Sequence, residues 1–142
     1  MNLQPCTYNH PSRRTILLVE DEPFVREATR SILESAGFEV LPAEDAASAM
    51  KAYEERPAID LVMTDMVLPG RTGQQLGQDL RQRHPEVSVL VTSGYGNVEY
   101  ETEDLTARTY FLAKPYSRRS LIEKIEAIFG AIPLQQAARQ VS

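Results

Sequence analysis

The stretch Thr15–Pro23, TILLVEDEP, decides the reading of this chain: the apolar run Ile16 to Val19 leads straight into the acidic triplet Glu20-Asp21-Glu22. A run this short, apolar throughout and bounded by polar residues, predicts a strand over Ile16 to Glu20 that is covered on both faces. Phe24, Ala28, Ile32 and Ala36 then follow at i, i+4, i+8 and i+12, predicting a helix that Gly37 ends. Strand, acidic turn and helix make one βα unit.

The same unit recurs along the chain. Further strands are expected at Glu39 to Leu41, Ile59 to Thr64, Val87 to Thr92 and Tyr110 to Ala113. A second helix starts from Asp45 as N-cap, places Ala46, Ala49, Met50 and Tyr53 on one face, and closes at Pro57. A third spans Gly73 to Arg83, with Leu76 and Leu80 inside. The fourth has only Val98, Thr102 and Leu105 for a buried face and crowds Glu99, Glu101, Glu103 and Asp104 together, so it is expected to be the least stable. The last carries Leu121, Ile125, Ile128 and Phe129 behind Ser117 as N-cap. Five alternating units predict an α/β fold, a doubly wound parallel sheet in one domain over residues 15–130. Met1 to Arg14 reads as a flexible arm. Ala131 to Ser142 reads as a short tail, with Leu134, Ala137, Ala138 and Val141 at helical spacing but expected to fray.

At 142 residues the chain has the length of one ordinary domain, and 42% hydrophobic with 25% charged residues excludes a disordered or fibrous chain. Net charge is −5, and between Ile16 and Gly130 twelve basic residues face twenty acidic ones, a net of −8. Such a surface repels phosphate backbones, which argues against a direct nucleic-acid partner. Apolar runs such as Ile16 to Val19 are far below the roughly 20 residues of a membrane span, so no membrane insertion is expected. The N-terminal arm has no apolar core of a secretory signal, and Cys6 has no second cysteine to pair with; a cytoplasmic location is expected.

In an open parallel sheet, ligands bind beyond the carboxyl ends of the strands. There the chain places Glu20-Asp21-Glu22, then Thr64-Asp65, then Thr92-Ser93-Gly94, then Lys114-Pro115. Each has a plain structural reading: Asp21 or Glu22 as a helix cap, Asp65 as the start of a turn before Pro69-Gly70, Ser93 as loop, Lys114 as a solvated strand end. Together they are harder to dismiss. Two carboxylates about 5 Å apart at an effective dielectric near 20 repel by roughly 3 kcal/mol. A counter-charge is required, and Lys114 supplies one. A divalent cation would supply another, since Mg²⁺ prefers hard oxygen ligands. His10 and His84 with Cys6 do not have the spacing of a zinc site, and neither histidine resembles a phosphodonor.

TILLVEDEP (Thr15 to Pro23), DLVMTDMVLPGRTG (Asp60 to Gly73), VLVTSGYG (Val89 to Gly96) and YFLAKPYS (Tyr110 to Ser117) closely resemble the receiver domain of two-component response regulators. That resemblance covers about Thr15 to Phe129 and implies a flavodoxin-like (βα)5 fold with strand order 2-1-3-4-5. By matching positions, it implies that Asp65 accepts a phosphoryl group from a histidine kinase or histidine phosphotransfer protein. It implies Mg²⁺ held by Glu20, Asp21, Asp65 and the main-chain carbonyl of Val67. Lys114 would pair with Asp65 and then with a phosphoryl oxygen. Ser93, chosen over Thr92 by strand alternation, would hydrogen-bond another. Phe111 matches the switch aromatic, and Pro115 the cis-proline that orients Lys114. Val67 and Tyr95 would border the path of attacking water and alter the phosphoryl lifetime. The implied protein is a phosphorylation-operated switch, not a turnover enzyme, whose own chemistry is limited to gaining and losing its phosphoryl group. It would be a monomer or weak dimer that passes its state to a protein partner.

Two alternatives differ in testable ways. Thr92-Ser93-Gly94-Tyr95 looks more like receivers attached to hybrid histidine kinases, where the domain would serve as relay intermediate or phosphate sink. A haloacid-dehalogenase-like phosphatase needs Asp-x-Asp after its first strand; here Asp65-Met66-Val67 follows the third. A P-loop enzyme is excluded, because no Gly-x-x-x-x-Gly-Lys followed by Ser or Thr is present.

Overall fold

The computed structural model describes residues 13–56, 58–94 and 108–131. Strand β1 (Thr15–Val19) lies at the centre of the first half, flanked by β2 (Glu39–Ala43) and β3 (Leu61–Asp65). Strand β4 (Val89–Ser93) pairs with β3, and β5 (Thr109–Ala113) closes the far edge. All four pairings are parallel and the order is β2-β1-β3-β4-β5. This is the doubly wound order expected from the sequence. Between β1 and β3 the switch in chain direction opens a crevice at the carboxyl edge.

Helices cover both faces. Strand β1 sends Leu17 and Val19 to one core, shared with Ala49 and Tyr53 of α2 (Ala46–Glu55) and Leu76 and Leu80 of α3 (Gly73–Arg83). Ile16 and Leu18 go to the other, shared with Leu33 of α1 (Pro23–Ser35) and Leu121, Ile125 and Ile128 of α4 (Arg118–Ala131). Burial on both faces is why the strands read as continuous apolar runs. Strand β2 runs on through Pro42, two residues beyond the expected end, because an edge strand tolerates a missing N–H.

The caps account for where the helices begin. Asp45 and Ser48 form a reciprocal capping box at α2, as do Thr72 and Gln75 at α3. The N–H of Ser120 donates to the Ser117 hydroxyl ahead of α4. Helix α1 departs from expectation. Phe24 is 85% exposed, Ala28 and Ala36 are exposed, and the fully buried positions are Thr29 and Leu33. A stripe drawn every four residues turns about 40° per step around a helix, so over twelve residues it leaves the packed face. The true inner face runs through Arg26, Thr29 and Leu33, two of them polar, which is what a hydrophobic pattern cannot see.

The N-terminal arm as far as residue 12, Pro57, the fourth predicted helix over Val98 to Leu105, Tyr95 and the tail beyond residue 131 lie outside the described residues. No helix among the described residues is long and apolar enough to cross a membrane.

Candidate functional site

Four strand ends, those of β1, β3, β4 and β5, converge at the carboxyl edge. Glu20 follows β1 directly, its N–H donating to the Ala43 carbonyl at 3.0 Å. Glu22 takes the plain role of N-cap, accepting from the Phe24 N–H at 3.2 Å, which leaves Glu20 and Asp21 for other work. Glu20 in turn accepts from the Glu22 N–H at 3.1 Å. Arg26, one turn into α1, donates to the Glu20 main-chain carbonyl at 2.7 Å and clamps the loop.

Asp65 is the last residue of β3, paired in register with Thr92. Beyond it the chain makes a small antiparallel hairpin, Val67–Leu68 against Arg71–Thr72, turned by Pro69 and by Gly70 at φ 76°, a left-handed angle that suits glycine. The hairpin leads back so that the Gly73 N–H donates to the Met66 carbonyl at 2.7 Å. Here α3 touches the Asp65 backbone so closely that a Cβ on Gly73 would stand 2.2 Å from the Asp65 carbonyl oxygen.

Carboxylate oxygens of Glu20, Asp21 and Asp65 all lie within 4.8 Å of one another, the one such acidic or metal-ligating group among the described residues. The Lys114 Nζ stands 3.2 Å from Asp65 Oδ1. Its main-chain N–H donates to the Ser93 carbonyl at 2.7 Å, and the Lys114–Pro115 peptide is cis. Glu20 is buried, and that burial pushes its carboxyl above the ordinary 4.5; the Glu22 N–H pulls it down, and the neighbouring Asp65 charge pushes it up again. A cluster so crowded with negative charge favours protons or cations. Its donors are oxygens alone, with no nitrogen or sulfur among the three, which fits a hard divalent cation.

The other expected residues stand nearby in different ways. Ser93 ends β4 fully buried, next to the lysine-bearing strand. Phe111 lies in the core with Val91, the register partner it faces, and alternation puts Ser93 on that same side of β4. The Val67 side chain is 65% exposed. Sequence reasoning missed Arg26, which clamps the acidic loop, and Gly73, which packs on the Asp65 backbone.

Residues 16–126 match the family model described as "Response regulator receiver domain". The chain belongs to the response regulator receiver family. It is 33% identical over 114 residues to the "Sensor kinase CckA" of Brucella abortus, covering 79% of this chain and 12% of that protein. It is 34% identical over 122 residues to the "Phosphate regulon transcriptional regulatory protein PhoB" of Escherichia coli K12, covering 84% of this chain and 53% of that one. The solved receiver domain of NtrX from Brucella abortus is 34% identical with a TM-score of 0.74, over 82% of this chain and 98% of that one. This receiver therefore spans about half of one curated relative and an eighth of the other. Receiver domains are signalling switches of two-component systems.

Proposed function

We propose that this receiver accepts a phosphoryl group on Asp65 from a phosphohistidine of a histidine kinase or phosphotransfer protein, with Mg²⁺, and thereby changes its contact surface for a protein partner. The observation that carries this is the Lys114 ammonium 3.2 Å from Asp65 beside a three-carboxylate cluster. A carboxylate oxygen of Asp65 attacks phosphorus in line as the P–N bond breaks, and the departing imidazole nitrogen keeps the electron pair and is protonated. The product is a mixed anhydride on Asp65. Glu20, Asp21, Asp65 and the Val67 carbonyl would hold the metal, which when bound neutralises charge on the transferring group. Lys114 leaves the Asp65 carboxylate for a phosphoryl oxygen, keeping the added charge paired. Ser93 donates to another oxygen, and Phe111, on the same face, repacks as the strand end moves.

A protein donor is supported by the surface around the cluster. The exposed large hydrophobics among the described residues are Phe24, Val25 and Val67. The first two open α1 just after the acidic loop, and the third lies two residues beyond Asp65. The similarity to a sensor kinase favours a second reading, a relay intermediate or phosphate sink of a hybrid kinase, and the similarity to PhoB favours an output switch. Both share the same chemistry.

The test is intact mass after incubation with Mg²⁺ and a small acyl-phosphate donor. Wild type is expected to gain one phosphoryl group and Asp65→Asn none. A gain in both would move the acceptor elsewhere; a gain in neither, with Mg²⁺ bound, would leave either a receiver that depends on its kinase or a fold used only for contacts.

A further inference from the structure

The chain leaves β1 through a closed ring of hydrogen bonds. Half-buried Arg26 donates from Nη1 to the Glu20 main-chain carbonyl at 2.7 Å, the Arg26 N–H donates to the Glu22 carbonyl at 2.8 Å, and the Glu22 N–H donates to Glu20 Oε2 at 3.1 Å. The Glu20 N–H, on the Ala43 carbonyl at 3.0 Å, ties the ring to β2. Asp21 lies within the backbone span of this ring, and both of its flanking peptides are held. The Glu20–Asp21 peptide is held at its carbonyl by Arg26, and the Asp21–Glu22 peptide at its N–H by the Glu20 carboxylate. A peptide is planar, so fixing both planes sets φ and ψ of the residue between them, and with these the direction in which its Cβ leaves. Asp21 is itself exposed, so packing does little to aim its carboxylate. The guanidinium also avoids the obvious partners. Glu20, Asp21 and Glu22 stand in the loop just ahead of it, yet among the described residues Arg26 is in no ion pair. Its bond goes to an uncharged oxygen, which leaves the carboxylates to a hard cation.

We propose that Arg26 is a positioning residue for Asp21: through the Glu20 carbonyl it fixes the peptide ahead of Asp21 and so aims that carboxylate at the cation shared with Glu20 and Asp65. This rests on Asp21 being a metal ligand. It also puts the anchor of the acidic loop on the same helical turn as exposed Phe24 and Val25.

The experiment compares wild type, Arg26→Met and Arg26→Lys of the full chain, with Arg30→Met as control, an arginine of the same helix whose partners are Glu27 and Glu34. Methionine keeps an unbranched stem without a donor. In Mg²⁺-free buffer the NMR shift of the Glu20 carbonyl carbon reads the hydrogen bond, and the three-bond coupling between the Asp21 amide and α protons reads its φ. Arg26→Met is expected to move both, the coupling toward the averaged value of an unrestrained chain, and to weaken Mg²⁺ binding by calorimetry roughly three- to tenfold. The sign separates positioning from charge, because removing a mere nearby positive charge would tighten Mg²⁺ binding. Arg26→Lys, a donor on a shorter and unforked stem, should move each readout the same way by less, and it is the test if Arg26→Met does not fold. Arg30→Met should leave all three in place. Mg²⁺ affinity that is unchanged or tighter in Arg26→Met, or an Asp21 coupling that stays put, overturns the proposal. If wild type binds no Mg²⁺, the metal reading fails by itself, and the metal-free NMR arm still decides whether Arg26 orients Asp21.

Discussion

Gly73→Ala is expected to impair the site while leaving the protein folded. A Cβ there would stand 2.2 Å from the Asp65 carbonyl oxygen and 2.9 Å from the Thr64 methyl, whereas real Cβ atoms essentially never come under 3.0 Å. One side must therefore retreat by at least about 0.8 Å. Neither is a flexible side-chain tip. Asp65 is held in the ladder opposite Thr92, with the next N–H, that of Met66, donating to the Thr92 carbonyl at 2.7 Å. The start of α3 is held by its capping box and by the Gly73 N–H on Met66. The strain is shared, so the Asp65 carboxylate moves against Lys114 and the other acids. A misplacement near 1 Å costs about 10²-fold in rate, the equivalent of roughly 2.7 kcal/mol. Overpacking costs about 1–3 kcal/mol of stability, or roughly 4–12 °C in Tm. Gly77→Ala is the control from the same helix: its Cβ would meet Val89 at an ordinary 3.5 Å, and helix propensity should add up to about 1 kcal/mol. The assay is the phosphorylation rate from a small acyl phosphate together with Mg²⁺ titration, at a temperature well below either melting midpoint. Wild-type rate and Mg²⁺ affinity in Gly73→Ala would refute the reasoning, because α3 alone would then have absorbed the displacement.

Asp21→Ala and Asp65→Asn should each weaken Mg²⁺ binding at least about tenfold by calorimetry, roughly 1.4 kcal/mol; unchanged affinity in both removes the metal site. Because burial holds the Glu20 carboxyl above 4.5, the folded protein binds that proton more tightly than the unfolded chain does. Glu20 thus favours folding below pH 4.5 and ceases to as pH rises through its raised value. In Mg²⁺-free buffer at pH 7, Glu20→Gln should melt above wild type, with the gap closing below pH 4.5; a lower Tm at pH 7 contradicts this. Asp45 is the opposite case, since the Ser48 N–H holds its carboxyl below 3.8 and its support is lost as pH falls through that lowered value. Asp45→Ala should lower Tm at pH 7 and approach wild type only below pH 3.8, a trend that pH-resolved melting checks. Val67→Asn should change the rate at which the phosphoryl group is lost, and an unchanged rate takes Val67 out of the water's path.

What could be read from the sequence follows from how each residue does its work. Glu20, Asp21, Asp65 and Lys114 are legible because they sit at strand ends, and a parallel sheet carries strand ends to one edge whatever the loops do. The third helix, expected over about Gly73 to Arg83 and found there, is legible because Leu76 and Leu80 are local signals, while its Thr72–Gln75 cap goes unread. Arg26 is not legible, because its hydrogen bond to the Glu20 main-chain carbonyl exists only once helix and loop have packed. The same holds for Gly73, whose reason is a neighbouring backbone and not its own helix. The stripe on α1 joins these cases: apolar Phe24 is expected inside yet stands 85% exposed, while the inner side carries buried Thr29 and Arg26, which holds the Glu20 carbonyl. An apolar residue left outside and polar residues brought inside, on one helix beside one acidic cluster, are two halves of a single arrangement. A helix used only for packing would reverse them. That reversal is the physical reason to regard α1 as part of the site, with its inner face holding the acidic loop and its outer face available to a partner.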